Sequence, residues 1–415
     1  MKVLHVLAQL PAQTGSGVYF HNLLNGLKTK GVDNGVIYAT QPPFKEILQN
    51  DYCYPVHFES NELPFSIVGM SDSMPYQSSI YSQLSDQQTK QWQQAFIKRL
   101  IKAKKEFQPD IILTHHLWYL SSLVLDIFPK IPVIGISHGT DIRQARRHPH
   151  LKNRYLGNMN RFALIFSLTK DDRDNLINEF NIDANKIKVI GNGFNSSIFN
   201  LENSQKLKHS SKKIMYAGKI TRSKGVFELL LAFEQVKKKS PQSKLFLIGN
   251  GDSTELKELK TIVSSHGIED IHFLSALPQF ELAKWMKQSD IFVLPSYYEG
   301  LATVCLEAMA CGLRAVVSDL APLKNYLNNE INQSQWIEYV PLPRIIDQDK
   351  AHREDIPEFI ANLSQSIILQ MDRLQSHQAI DPHIYDLIME YSWERLIDKQ
   401  FHYINFLFEE KKDKA

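Results

Sequence analysis

Two glutamates, Glu299 and Glu307, flank seven residues in the stretch DIFVLPSYYEGLATVCLEAMACGLRAVVSD, residues 290–319. Carboxylates accept paired hydrogen bonds from vicinal hydroxyls, so such a pair suits the recognition of sugars. Gly300, Leu301, Ala302 and Thr303 lead from the first glutamate into a run of good helix formers. The free N–H groups of a helix's first turn hold anions, a diphosphate above all. A ligand with sugars on either side of a diphosphate would satisfy all three groups. The plainer alternative is an exposed helix glutamate and a loop acid, since charge near a helix N-terminus is stabilising by itself.

Other residues invite chemistry. Gly218, Lys219, Ile220, Thr221, Arg222, Ser223, Lys224 and Gly225 form a basic loop between an apolar run and a helix, suited to an anion or simply solvated. His138, Gly139, Thr140 and Asp141 follow directly on the apolar run 131–137, at the strand end where open α/β sheets bind ligands; a satisfied loop histidine is the alternative. The pairs His115 with His116 and His148 with His150 lack a companion acid at ligand spacing and read as structural. Asp172 and Asp174 have the spacing of a metal-binding pair, but capping by Thr169 and the helix dipole explain acids there better, so no metal is expected. Cys53, Cys305 and Cys311 fit neither a disulfide framework nor zinc, which suits a reducing cytoplasm.

The elements that would position these groups alternate between strands and helices. Lys2 to Leu7 is expected as a strand, with Gly15, Ser16 and Gly17 as a flexible turn before a helix from about Val18 to Lys30. Phe20 stands where a dinucleotide fingerprint needs its third glycine, and no acid follows at the ribose position, which argues against a nicotinamide cofactor. Further strands are expected at 36–40, 109–114, 131–137, 164–168 and 188–191, then at 214–217, 244–248 before Gly249, 271–274, 291–294 and 315–317. Residues 41–87 read as a long irregular loop and 333–357 as a second irregular stretch. The helix expected over 88–107 carries Trp92, Phe96 and Leu100 on one face, ringed by Lys98, Arg99, Lys102, Lys104 and Lys105. Trp393, Ile397, Phe401, Ile404 and Phe408 recur at helical spacing near the end. The sum is an α/β chain of doubly wound sheets.

With 415 residues the chain is too long for one core and comfortable for two. A net charge of +2 argues against a nucleic-acid partner, and 43% hydrophobic with 22% charged residues is a globular composition. Residues 1–10 are too brief for a signal sequence and no apolar run approaches the roughly 18 residues of a spanning helix, so a cytoplasmic location is expected.

The context Glu299-Gly300 through Glu307-Ala308-Met309-Ala310, closed by Gly312, resembles the signature of the family 4 retaining glycosyltransferases of the GT-B fold. The likeness runs over nearly the whole chain and is strong from Ile214 to Asp319. It implies two Rossmann-like domains facing a cleft, residues 1–198 on the acceptor side and 213–390 for the nucleotide sugar, with a linker at 199–212 and a terminal helix, 391–415, returning to the first domain. It implies transfer of a hexosyl or N-acetylhexosaminyl unit from a UDP-linked donor, without metal or other cofactor. Lys219 and Lys224 would meet the diphosphate, with Arg222 compensating for the lysine at 219, where the family usually has arginine. Glu307 would bind the ribose and Glu299 the donor sugar, approached by His138 from the other domain. Gly15, Gly17 and Gly249 would border the nucleotide sugar. Ser16, Asp141, Arg143, Arg146 and Arg147 would lie on the acceptor side, where crowded arginines with Lys152 and Arg154 suit a phosphate-bearing or lipid-linked acceptor at an anionic membrane face. The alternatives are a nucleotide-sugar epimerase of similar fold and a catalytically silent partner subunit; the oligomeric state stays open.

Overall fold

The computed structural model of the protein describes residues 1–11, 14–44, 48, 50–71, 74–202, 212–347, 349–376 and 379–413. The chain forms two compact units, one made of Met1–Asn192 with Leu396–Ala415 and the other of Gly193–Arg395. The division falls before residue 198 because Phe194 and Phe199 are buried in the second unit's core, and Phe194 exchanges backbone hydrogen bonds with Tyr391 and Trp393. Most of the expected linker, 203–211, lies outside the described residues.

Among the described residues the first unit is built on seven parallel strands: β1 (Lys2–Leu7), β2 (Asp33–Thr40), β3 (Tyr52–His57), β4 (Ile111–His115), β5 (Val133–Ile136), β6 (Leu164–Ser167) and β7 (Ile187–Val189), in the order β3-β2-β1-β4-β5-β6-β7. β1 and β4 are almost wholly buried, as continuous Val, Ile and Leu runs demand in a sheet covered on both faces. β3 falls inside the stretch read as irregular. Pro55 sits in its middle, a residue that a sheet accepts at its edge, and β3 is an edge strand. The helix Asp86–Glu106 starts two residues early, at a capping box of Ser85 and Gln88. It buries Trp92, Phe96 and Leu100. Arg99 leaves the basic ring around it, pairing through both guanidinium nitrogens with Glu62 and donating from Nε to the Pro55 carbonyl at 3.1 Å. The terminal helix Trp393–Asp413 contributes residues 396–413 to this unit. Tyr19 OH donates to Gln400 Oε1 at 3.2 Å, Lys411 pairs with Asp110 at 3.7 Å, and Ile397 occupies the space that a Cβ on Gly26 would take.

The second unit carries six parallel strands among its described residues: β8 (Lys213–Ala217), β9 (Lys244–Ile248), β10 (Ile271–Leu274), β11 (Ile291–Leu294), β12 (Arg314–Ser318) and β13 (Ile337–Val340), in the order β10-β9-β8-β11-β12-β13. β13 lies within the second stretch read as irregular; only its end residues, Ile337 and Val340, are buried, so its apolar pattern is short. The helix Val226–Lys239 packs against the sheet with Phe227, Leu230, Phe233 and Val236 buried. No helix among the described residues is long and apolar enough to cross a membrane.

Candidate functional site

In the second unit a cavity of about 580 Å3 opens where β8, β9 and β11 end. Its lining includes Lys219 after β8, Gly249 and Asn250 after β9, and Glu299 after β11, with Lys224 and Val304 beside them. Two close backbone approaches shape it. A Cβ on Gly225, whose φ is +64°, would stand 2.0 Å from the Pro295 carbonyl oxygen, so only glycine lets the basic loop lie against the loop that bears Glu299. A Cβ on Gly249 would meet the Gly218 carbonyl oxygen at 1.8 Å.

That approach brings charge together. Lys224 Nζ lies 2.8 Å from Glu299 Oε1 and donates to the Tyr298 carbonyl at 3.1 Å, while Ser296 Oγ donates to the same Glu299 oxygen at 2.7 Å. Both Lys224 and Glu299 are mostly covered. Lys219 is exposed at the rim, its backbone fixed by a hydrogen bond from Tyr216 OH to its carbonyl at 2.5 Å. Asn250 Oδ1 accepts from the Ala276 N–H at 3.0 Å, which ties the β9 and β10 ends of the cavity.

Arg222 is turned elsewhere. Its guanidinium pairs with Glu258 and lies 4.0 Å from the centre of the Phe227 ring, so it does not stand in for the missing arginine at 219. The helix after Glu299 spans Thr303–Ala310, shorter than the expected run from Leu301. Its N-terminus is less open than expected, because the Thr303 and Cys305 N–H groups already donate to the Leu301 and Ala302 carbonyls, at 2.8 and 3.0 Å. Gly300 is exposed, Leu301 and Thr303 are half-buried and Ala302 is buried. Glu307 sits one turn beyond Val304, behind the lining. Its side chain is only partly accessible and makes no hydrogen bond or ion pair with a described residue, and burial raises its carboxyl to about 7.

The first unit has a smaller cavity, about 310 Å3, at the ends of β1, β4 and β5. Gln9, Gly15, Ser16, Met70, His116 and His138 are among its walls. Gly15, Ser16 and Gly17 are not a free turn: the helix begins at Gly15, capped by Thr14, whose Oγ1 accepts from the Gly17 N–H at 3.0 Å. Ser16 Oγ donates to Gln9 Oε1 at 3.1 Å, and His116 bridges that same oxygen and Thr140 Oγ1, both at 3.2 Å. His138 Nε2 is 3.1 Å from His115 Nδ1. Burial pulls His116 and His138 down to about 3, so both are neutral at ordinary pH.

Asp141 does not reach this cavity. It is fully buried, one carboxylate oxygen accepting from the Leu117 N–H at 3.0 Å and the other from Ser137 Oγ at 2.9 Å and the Ile142 N–H at 3.1 Å. It braces the ends of β4 and β5. The expected crowd of unneutralised cations dissolves as well. Arg146 pairs with Glu179 at 3.4 Å and donates to Asn175 at 2.6 Å, Lys152 shares Glu179 at 2.7 Å, and Arg154 pairs with Asp86 at 3.0 Å. Arg143 and Arg147 are exposed, and none of the five borders the cavity. Asp172 closes a helix cap with Thr169, and Asp174 pairs with Arg173. His116, read as structural, lines the cavity beside His138. The signal was available: His115 and His116, like His138, follow directly on an apolar run.

The family model for glycosyltransferase family 4 matches residues 14–197, and that for glycosyl transferases group 1 matches 197–338. An amylovoran biosynthesis glycosyltransferase, AmsK of Erwinia amylovora, is 29% identical over 248 residues, covering 56% of this chain and 58% of its own length. An uncharacterized glycosyltransferase of Methanocaldococcus jannaschii is 29% identical over 179 residues, covering 40% of this chain and 45% of its own. The matches thus span about half the length of these curated relatives. Among solved structures, sucrose-phosphate synthase from Thermosynechococcus elongatus superposes with a TM-score of 0.66 at 16% identity, over 98% of this chain and 99% of that one. Anabaena HepE in complex with UDP superposes with a TM-score of 0.65 at 15% identity, over 98% of this chain and all of that one. The fold, two Rossmann-like α/β units, is GT-B.

Proposed function

The chain belongs to the family 4 glycosyltransferases, the glycosyl transferases group 1, and on that premise we propose that it transfers a hexosyl unit from UDP to an acceptor hydroxyl with retention. The observation that carries this reading is the pairing of Lys224 with Glu299 on one cavity with Lys219, at the ends of β8 and β11. Negative charge builds on the departing diphosphate as the glycosidic bond breaks. Ammonium groups aimed there beforehand stabilise it without reorganising. Glu299 serves the reaction twice in this reading, fixing the Lys224 ammonium and leaving its second oxygen for a sugar hydroxyl. The two lysines take the part of a divalent ion. Glu307, a carboxyl lacking a partner among the described residues, gains ribose hydroxyls. Uracil suits the base end better than guanine, because guanine's N1–H and amino group call for a carboxylate and the described residues there are Ile248, Asn250, Ala276, Leu277 and Leu282.

The first unit's cavity is assigned to the acceptor. Gln9, Ser16, His116 and Thr140 offer it neutral donors and acceptors, which match sugar hydroxyls. A lipid-linked form of that acceptor would meet the exposed Lys98, Lys102 and Lys105 of the helix Asp86–Glu106. The test is donor hydrolysis: the purified chain is incubated with UDP-glucose, UDP-galactose or UDP-N-acetylglucosamine in excess chelator, and released UDP is measured. Release above the uncatalysed background is expected with at least one donor. Release only after magnesium or manganese is restored would end the metal-independent reading, and none from UDP-, GDP- or ADP-sugars would leave the silent-subunit reading standing.

A further inference from the structure

We propose that His115 is a positioning residue: it holds the His138 ring in the tautomer whose Nδ1–H donates into the first unit's cavity. His115 itself is not part of the cavity lining, whereas His138 is. The two ring planes are within 12° of parallel with centroids 5.4 Å apart, and His115 Nδ1 to His138 Nε2 is 3.1 Å. With the two nitrogens that close, centroids so far apart place the rings end to end and not face to face, the geometry of an in-plane N–H···N hydrogen bond. One nitrogen must donate and the other accept.

Burial decides which. His115 Nε2 is sealed from solvent with no hydrogen-bond partner among the described residues. A proton on that atom would strand a buried N–H, whereas a proton on Nδ1 leaves there only an unused lone pair, the lesser penalty. His115 therefore carries its hydrogen on Nδ1 and donates it to His138 Nε2. Charging either ring is opposed above all by burial and then by neighbouring histidines, which outweigh the attraction of Asp141 for a charged His138, so His138 keeps one hydrogen, on Nδ1. That nitrogen is not among the sealed polar atoms, and the His138 ring is held edge-on by Tyr19 at 5.3 Å and 84°. The cavity is thus offered a fixed hydrogen-bond donor at His138, suited to a ligand hydroxyl oxygen, and no general base at that position. The histidine side chain in water favours the opposite tautomer, so where water takes the place of the His115 donor at Nε2 the group facing the cavity would become an acceptor.

The inference rests on the reading of this cavity as a ligand site, and its test separates the two. The full chain is labelled with 15N-histidine and long-range proton–nitrogen correlation spectra are recorded at neutral pH, with His138→Gln identifying the His138 signals. Wild type is expected to show His138 protonated at Nδ1. His115→Ala, which removes the donor and leaves room for water at His138 Nε2, should shift His138 to the Nε2–H form. His115→Asn, whose amide N–H falls near the place of Nδ1, should restore it. If UDP-sugar turnover is measurable, His115→Ala lowers kcat roughly 10- to 100-fold, as loss of an orienting partner does elsewhere, with KM for the donor unchanged and kcat recovered in His115→Asn. An Nε2–H signal for His138 in wild type overturns the inference. So does an Nδ1–H signal that persists in folded His115→Ala. Should His115→Ala not fold, wild type and His115→Asn still decide, since both must show Nδ1–H. Absence of turnover alongside the expected tautomers would count against the transferase reading alone.

Discussion

The two cavities occupy equivalent places, each at the carboxyl ends of a parallel sheet, yet their linings are chemically opposed. The second unit gathers Lys219, Lys224 and Glu299, a site for a ligand that carries charge. The first gathers Gln9, Ser16, Thr140 and two neutral histidines, and no charged side chain is among its described walls. In the proposed reading one fold plan serves a charged leaving group on one side and hydroxyls on the other. The lesson is that the crowded cations of the first unit are a poor guide to its ligand, since Arg146, Lys152 and Arg154 are neutralised on the surface. The exposed one of these, Arg154 with Asp86, contributes little energy individually.

The contrast breaks most sharply at Lys224. In the proposed reaction Lys224→Ala removes the ammonium that meets the leaving group and leaves Glu299 with Ser296 alone among the described residues, so turnover of the UDP-sugar should fall roughly 100- to 1,000-fold. A residual rate within tenfold of wild type, measured by UDP release, would mean that the charged cavity does not stabilise the departing diphosphate. Asp141 probes the other side. Asp141→Ala strands the Leu117 N–H and the Ser137 hydroxyl in a buried site, and should lower the first unit's stability by about 3 kcal/mol. Urea unfolding reads that loss, while calorimetric affinity for UDP, well below the transition, should be unchanged; a parallel loss of UDP affinity would show that the two cavities are not separable.

The smallest expected effect lies at Glu307. With its carboxyl raised to about 7 by burial, the folded chain keeps that proton at a pH where the unfolded chain has lost it. Its contribution to stability is therefore full below the ordinary glutamate pKa and declines as pH rises towards about 7. Glu307→Gln should flatten this part of the stability profile, followed by melting temperature against pH. If ribose hydroxyls take the carboxylate as acceptor, UDP binding just below neutral pH releases a fraction of a proton. Calorimetry in two buffers of different ionisation heat measures it, and equal release from wild type and Glu307→Gln would remove Glu307 from the site.

How far these features were legible in the chain depended on their range. β9, β10 and β11 lie at the residues expected, because Lys244–Ile248, Ile271–Leu274 and Ile291–Leu294 are short apolar runs bounded by polar or turn residues. Lys224 and Glu299 were each legible as loop residues at strand ends, whereas the ion pair between them was not, since it joins segments far apart in the chain. β3 escaped notice because Pro55 is a breaker everywhere except at an edge, and edges belong to the whole sheet. β13 hid because only its ends are buried. The helix start at Gly15 was obscured by two glycines that Thr14 overrides. Arg222 and Arg146 were misjudged because their partners, Glu258 and Glu179, lie more than 30 residues away, and no local pattern announces them.

The edge strand β3 has one more effect. A border strand ordinarily presents a row of unpaired N–H and C=O groups onto which another chain can add, the route to aggregation. Here the row is interrupted. Pro55 has no N–H to give, and its carbonyl is occupied by Arg99 Nε, which Glu62 holds in place from the far side of the guanidinium. A foreign strand docking along this border would find neither donor nor acceptor at its centre. The same arginine that anchors the helix to the sheet therefore closes the border of the sheet at Pro55.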